Sequence, residues 1–353
     1  MGELSVPAPD GFPAPAPAPP APGMSVRERL ALVPWRKVGE ALMPAVALGL
    51  GILSQQYSKH TIAFAPKAVA LLAVAWALAA GLGEWLPEPK PDEPHPRWRD
   101  FLRKAAALVT VGLFRNVLFF LVPIWFASST LGSINMLAPI LLAAVALYCC
   151  FPNRFRKTML ENPRIRTLYC SSVLFVALVP AAAVEMSTSP RLSAALAAGV
   201  AWLASSLATS RAPLSTKIGR YELAAGTAIA ALICALAAPL LPPVPVAVGE
   251  SAVGTSLHNH EVEGAADRFP AGTRRIYAWF AVHVPRRYRQ GIRFEWYRDG
   301  EQVRSIAGGE VVGGREGGYR TSSSTASPKP GSWRVDLLTD SSQLIARKTF
   351  VVE

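Results

Sequence analysis

Seven apolar stretches run along the first two thirds of the chain, at about residues 41–57, 68–86, 105–127, 131–151, 167–186, 191–209 and 222–242. Each holds roughly 17–25 residues, the length that a helix rising about 1.5 Å per residue needs to cross a bilayer core. The pattern predicts an α-helical transmembrane bundle of about seven helices. Pro44, Gln55 and Gln56 interrupt the first stretch. Trp85 and Trp125 fall near helix ends, where interfacial anchors are expected. Pro239, Pro242, Pro243 and Pro245 end the last helix and open a short stiff spacer.

Beyond that spacer the period of the apolar positions changes from helical to two. Ile276, Ala278, Phe280 and Val282 share one face, as do Ile292, Phe294 and Trp296. Asp299-Gly300 follows as a hairpin turn. Trp333, Val335 and Leu337 form another inward row after Pro330-Gly331, and residues 348–352 close the chain as a last strand. About seven short strands with regularly spaced turns predict an immunoglobulin-like β-sandwich. Three parts result: a disordered Pro/Ala-rich tail at 1–24, a transmembrane helical domain at 25–244 and an exported β-sandwich domain at 245–353. The tail favours extended polyproline conformations and cannot build a core. Residues 25–40 intersperse Leu30, Leu32, Val33 and Trp35 among basic residues, which suits the inner headgroup surface.

Charge turns these stretches into an orientation. Alternate loops hold 17 Lys and Arg on one side of the bundle and 3 on the other, Arg115 lying within a stretch. The turn near Thr130 has none, and no basic residue stands between Arg220 and Arg268. Positive loops stay in the cytoplasm. The reading is therefore a multi-pass membrane protein with a cytoplasmic N-terminus and an outward-facing C-terminal domain, periplasmic where the membrane is a bacterial inner (plasma) one.

Composition narrows the class. The 353 residues are 51% hydrophobic, and the mean hydropathy is +0.27. The net charge of +12 belongs mainly to the cytoplasmic loops, which face anionic headgroups. No nucleic-acid motif accompanies it, so no nucleic-acid partner is expected. Cys149, Cys150, Cys170 and Cys234 all lie in apolar stretches, so the exported domain has no disulfide framework.

Three motifs at the C-terminus read together: Phe294-Glu295-Trp296-Tyr297-Arg298-Asp299-Gly300, Gly318-Tyr319-Arg320-Thr321-Ser322-Ser323 and Gly331-Ser332-Trp333-Arg334-Val335, with Phe350 after them. Residues 270–353 thereby resemble the bacterial family known as domain of unknown function 2914. The family often has Trp where Tyr319 stands and His where Phe294 stands. The resemblance implies a β-domain after a membrane anchor, with Trp296, Tyr319, Arg320, Ser322 and Trp333 as its motif residues. It implies no activity, substrate or cofactor.

Among candidate chemical groups, Arg115 is the sharpest. It lies eleven residues past Lys104, which places it near the bilayer midplane. A charge there is unfavourable unless paired or hydrated, and such residues mark ligand paths or internal clamps. Asn116 adjoins it, and Asn135 on the next stretch is a candidate partner. His258, His260 and His283 fix no fourth ligand by spacing, so no metal is expected. The glycine run 308–318 lacks Gly-Lys-Ser/Thr and reads as loops and bulges between strands. Ser322, Ser323, Ser324 and Thr325 sit in no nucleophile-elbow context. Arg286, Arg287 and Arg289 form a basic turn open to solvent or to an anionic partner.

The expectation is a non-enzymatic membrane protein without a cofactor, displaying a β-sandwich binding or scaffolding domain on the outer side. Its partners are the lipid bilayer and an envelope protein or polymer. The alternative is a transporter or small-molecule-handling protein that uses Arg115.

Overall fold

The structure is a computed structural model that describes residues 114–155, 158, 162–186, 189–209, 215–259, 261–315, 317–353 and scattered positions between 45 and 77. These all belong to one compact unit, Met43–Glu353. The Pro/Ala-rich tail, the basic stretch 25–40, most of the first two predicted helices and the start of the third lie outside the described residues.

Five longer helices follow among the described residues. They are α1 (Phe114–Ala127), α2 (Leu137–Tyr148, continuing a 3-10 turn at Ile134–Met136), α3 (Pro163–Met186), α4 (Pro190–Thr209) and α5 (Lys217–Ala237). Among the described residues three helices are long and apolar enough to cross a membrane: Arg164–Val184, Pro190–Ala208 and Lys217–Leu240. The expected count of seven is therefore met only in part. α2 is shorter than the predicted 131–151 because residues 131–133 turn, 134–136 are 3-10 and the chain turns again at 149–150. α5 begins earlier than predicted because the Thr216 side chain caps it, accepting from Gly219 N at 3.0 Å.

Two packing details show how the apolar helices find a unique fit. Pro180 sits inside α3. Having no N–H, it leaves the Val176 carbonyl one turn earlier without its helical donor. The Trp125 indole N–H of α1 donates to that carbonyl at 3.2 Å. Trp125 is buried, so it is an internal clamp and not the interfacial anchor that its place near a helix end suggests. In α4 and α5, Trp202 lies over Gly226 so closely that a Cβ there would come within 2.5 Å of the indole nitrogen. The other side of α5 exposes Ile229, Leu232, Ile233 and Leu236.

The C-terminal region consists of β-sheets. Its strands are β1 (Ala247–Gly254), β2 (Ser256–His258), β3 (Glu261–Glu263), β4 (Arg268–Phe269), β5 (Arg275–His283), β6 (Arg289–Arg298), β7 (Glu301–Val312), β8 (Tyr319–Ala326), β9 (Gly331–Thr339) and β10 (Leu344–Val352). One sheet has the order β1-β5-β8, the other β4-β10-β9-β6-β7, and β2-β3 form a separate hairpin. All pairs are antiparallel except β4 with β10. The inward rows read from the sequence are buried: Ile292, Phe294 and Trp296 on β6, and Trp333, Val335 and Leu337 on β9. Asp299 and Gly300 both have positive φ (51° and 89°), the paired left-handed geometry of a type I′ hairpin turn. The two sheets share one core. Phe280 meets Phe294 with ring centroids 6.1 Å apart, and Trp296, Trp333 and Phe350 pack mutually at 6.0–6.4 Å.

The β-region is not held at a distance by the proline spacer. Pro242 to Val246 are buried, and Ala183 and Val184 at the end of α3 belong to the same apolar cluster as the sheets. Three side chains clasp the two parts together. Thr130 Oγ1 donates to Ile345 O at 3.1 Å and Asn135 Nδ2 to Leu344 O at 3.0 Å. From the other side Gln343 Nε2 donates to Ala238 O at 2.9 Å and Leu241 O at 3.3 Å. The sheets thus sit on the bundle end that carries the α1–α2 turn and the C-terminal ends of α3 and α5.

Candidate functional site

Arg115 and Asn116 stand on the first described turn of α1. Arg115 Nε and Asn116 Oδ1 are buried and have no hydrogen-bond partner. Phe114 beside them packs on Tyr169 at 5.3 Å, and Tyr169 OH is 3.2 Å from Cys149 Sγ, the residue that caps α2. Through these contacts the Arg115 turn of α1 lies beside Cys149. It is therefore level with the C-terminal end of α2, at the end of the bundle that carries the basic connection 151–166. Asn135 is elsewhere. It lies past the far end of α1, about 18 Å along a helix from Arg115 at 1.5 Å per residue, and is 2% exposed. Its Oδ1 accepts from Thr130 N at 3.1 Å and from the Ser133 hydroxyl, while its amide holds Leu344. The expected grouping of Arg115, Asn116 and Asn135 accordingly splits. Asn135 is part of the clasp, fixed there by the tight turn at Thr130–Ser133.

The five motif residues of the β-region also divide. Trp296 and Trp333 are core residues. The Trp296 indole crosses from one sheet to the other and donates to Ser323 Oγ at 3.1 Å, and the Trp333 indole donates to Lys329 O at 2.8 Å. The serine that meets the Trp296 indole is Ser323, the neighbour of Ser322. In the β5–β8 register Ser323 lies opposite buried Ala278, while Ser322 lies opposite Trp279 and is exposed. Tyr319 is half-buried under the Arg315 guanidinium at 4.8 Å. Arg320 is exposed and pairs with Glu261 at 3.0 Å.

On the outward face of the five-stranded sheet the sequence concealed a charge network. Asp336 of β9 is 4% exposed. It accepts two hydrogen bonds of 2.7 Å from Arg347 on β10 and has Arg334 Nε at 3.4 Å. The Arg334 guanidinium lies 4.0 Å from the Tyr297 ring centroid, a cation–π contact. Tyr297 OH donates to Glu295 Oε2 at 2.7 Å, and Glu295 also accepts from Arg293 Nε at 3.0 Å. The carboxylate at Asp336 holds the Arg347 pKa above its ordinary value. Burial, and then the bond to Glu295, raises that of Tyr297. Period two predicts only that these residues face out; that they meet follows from the register Glu295–Asp336–Arg347.

A groove of about 750 Å³ opens between the edges of the two sheets, walled by β1 on one side and β10 on the other. The α1–α2 turn (Ser129 to Leu131) forms one end and Asp267-Arg268 of the β4 region the other. Arg268 pairs with Glu353 at 2.8 Å and Arg347 with Asp336, so both are internally neutralised. Lys348 also lines the groove, and no ion pair is formed by it among the described residues. Elsewhere, His258 is exposed and His283 lies against Gly249 and Gly318. Among the described residues no group of three His, Cys, Asp or Glu could hold a metal ion.

Residues 289–352, which run from β6 to β10, match a family described as protein of unknown function (DUF2914). No curated protein matches the chain by sequence. Among solved structures, a superoxide reductase (neelaredoxin) from Ignicoccus hospitalis is similar over 30% of this chain and 82% of its own, at 14% identity and a TM-score of 0.20.

Proposed function

We propose that the chain is a multi-pass membrane protein with about seven crossings and a cytoplasmic N-terminus, which presents a binding domain on the outer face of a bacterial inner membrane. The domain is an immunoglobulin-like sandwich. Its strand order supports this, because β1 pairs in one sheet while β4, the next long-range strand, runs parallel to the last strand of the other. The orientation is supported by the end of the helices to which the sheets are clasped. That end carries the α1–α2 turn, which has no Lys or Arg, and the opposite end carries the basic connections near 151–166 and 211–220.

The observation that carries the binding role is the groove between β1 and β10, floored by the sheets and closed by the α1–α2 turn. Its partner is an envelope protein or polymer that reaches the membrane surface. Two measurements test the reading. A phosphatase reporter fused after Gly254 is expected to be active, and silence there would reverse the orientation. A photo-crosslinking residue at Thr349 of the full chain in its native membrane is expected to trap a partner that the same residue at Val303 on β7 does not. Equal trapping at both positions, or none at Thr349, overturns the binding role.

A second reading rests on the unpartnered Arg115 Nε and Asn116 Oδ1: a path or pocket for an anionic small molecule through the helices. Undiminished function of Arg115→Leu with normal insertion overturns it.

A further inference from the structure

Two sheet borders, β7 and the part of β10 that β4 leaves uncovered, are built differently, and the difference identifies a ligand class. β7 is a border strand with two irregularities in its pairing to β6, between Ile292 and Arg293 and between Trp296 and Tyr297. It also exposes Glu301, Arg304 and Glu310. Bulges and charges of this kind discourage another strand from adding. β10 is regular. From Ala346 to Val352 it pairs with β9 without a shift. Its other side meets β4 only at Val351 and Val352.

The main-chain direction there follows from one bond. Val351 N donates away from β9, to Asp267 O at 2.9 Å. In a regular antiparallel ladder alternate residues point the same way, so the N–H and C=O of Arg347 and Thr349 also point away from β9, into the groove. Thr130 and Asn135 occupy the carbonyls of Ile345 and Leu344 at one end, and β4 closes the other. An open stretch of about five residues, roughly 17 Å at 3.4 Å each, lies between these stops.

The side chains on this stretch set a pattern. Ala346, Lys348 and Phe350 share the inward face, because their partners on β9 are the buried Leu337, Val335 and Trp333. A lysine at such a position repels non-specific pairing, and only a strand that brings a carboxylate to it completes the face. We infer that the β10 edge is a strand-addition site for an extended peptide segment with the pattern apolar–x–acidic–x–apolar. The acidic residue lies beside Lys348 and the apolar residues beside Ala346 and Phe350. Main-chain bonds to Arg347 and Thr349 supply affinity and the cross-strand neighbours supply selectivity.

This inference rests on the groove being the binding site proposed above, and it adds the chemistry of the occupant. The test uses the full chain in lipid nanodiscs and a labelled peptide, acetyl-Val-Thr-Glu-Thr-Val-amide, with a counterpart carrying Lys at its centre. The glutamate peptide is expected to bind at least about tenfold more tightly, and Lys348→Glu is expected to reverse that preference. A peptide running antiparallel to β10 directs its threonine amides at β10 and its glutamate amide away. N-methylation of both threonines is therefore expected to abolish binding, and N-methylation of the glutamate to leave it unchanged. Absence of binding, indifference to the central charge, or equal effects of the two methylation patterns overturns the inference. If Thr349 still traps a partner by crosslinking while the peptides fail, only the strand-addition chemistry falls and the groove keeps its role.

Discussion

Trp125 in the helices and Trp296 in the sheets are both buried, yet their N–H groups find acceptors of different origin. Trp125 uses a backbone carbonyl that Pro180 has set free. Trp296 uses the hydroxyl of Ser323, which β8 of the facing sheet brings across the core. The same contrast holds for charge. Asp336 in the sheets is saturated by Arg347 and Arg334, whereas Arg115 Nε in the helices has no acceptor. The Trp125 indole is thus answered by the main chain while Arg115 Nε and Asn116 Oδ1 stay unanswered, and the Trp296 indole and the Asp336 carboxylate are answered by side chains. Around Trp296 and Asp336 the sheets are a scaffold, and under the proposed binding role selectivity comes from the main-chain edge of β10.

The largest test of this contrast is Trp296→Ala. It empties the centre of the shared core and leaves Ser323 without its donor, and is expected to destabilise by about 4 kcal/mol in thermal unfolding. A loss below about 1 kcal/mol would mean that the sheets do not depend on this contact. Next, Asp336→Asn leaves two guanidinium groups around a neutral amide. A loss of about 3 kcal/mol is expected, with a smaller loss when Arg347→Met is already present, because the network acts as a unit.

Smaller again is an alkaline effect. Burial pushes the Tyr288 hydroxyl well above its ordinary value of 10.0. The unfolded chain then loses this proton before the folded one, so the stabilisation is complete below about pH 10 and declines as pH rises further. Tyr288→Phe should flatten that decline in melts taken from pH 8 to 11, and an unchanged slope would contradict the burial. The smallest effect belongs to the helices. Trp125→Phe is expected to lose about 1 kcal/mol. In a Pro180→Ala background, where a restored main-chain N–H can reach the Val176 carbonyl, the same substitution should lose less. Equal losses in both backgrounds would sever the link between that proline and the indole.

How much of this was legible in the sequence depended on whether local alternation or distant register decided the outcome. The inward rows of β6 and β9 and the turn at Asp299-Gly300 are written in period-two hydropathy and in the tolerance of Asp and Gly for positive φ. The centre of β8, Thr321 to Thr325, is all Ser and Thr, so no apolar alternation sets its parity, and it is Ser323, the neighbour of Ser322, that meets Trp296. The Asp336 network and the Gln343 clasp join residues whose meeting depends on pairing or docking, and neither leaves a mark in the local pattern. Arg115 was visible as an unusual charge, but its level along the bundle emerges only from Tyr169 and Cys149 beside it.

The run Pro242–Val246 reads in sequence as a tether, but its burial between α5 and the sheets makes it a weld. With Gln343 gripping the Ala238 and Leu241 carbonyls at the same joint, there is no slack to absorb rotation. Any change in the tilt of α5 is inherited whole by the sheets and grows with distance into a sideways sweep at their far rim. In the membrane placement proposed above, the bilayer's own thickness and tension become inputs to where this domain points.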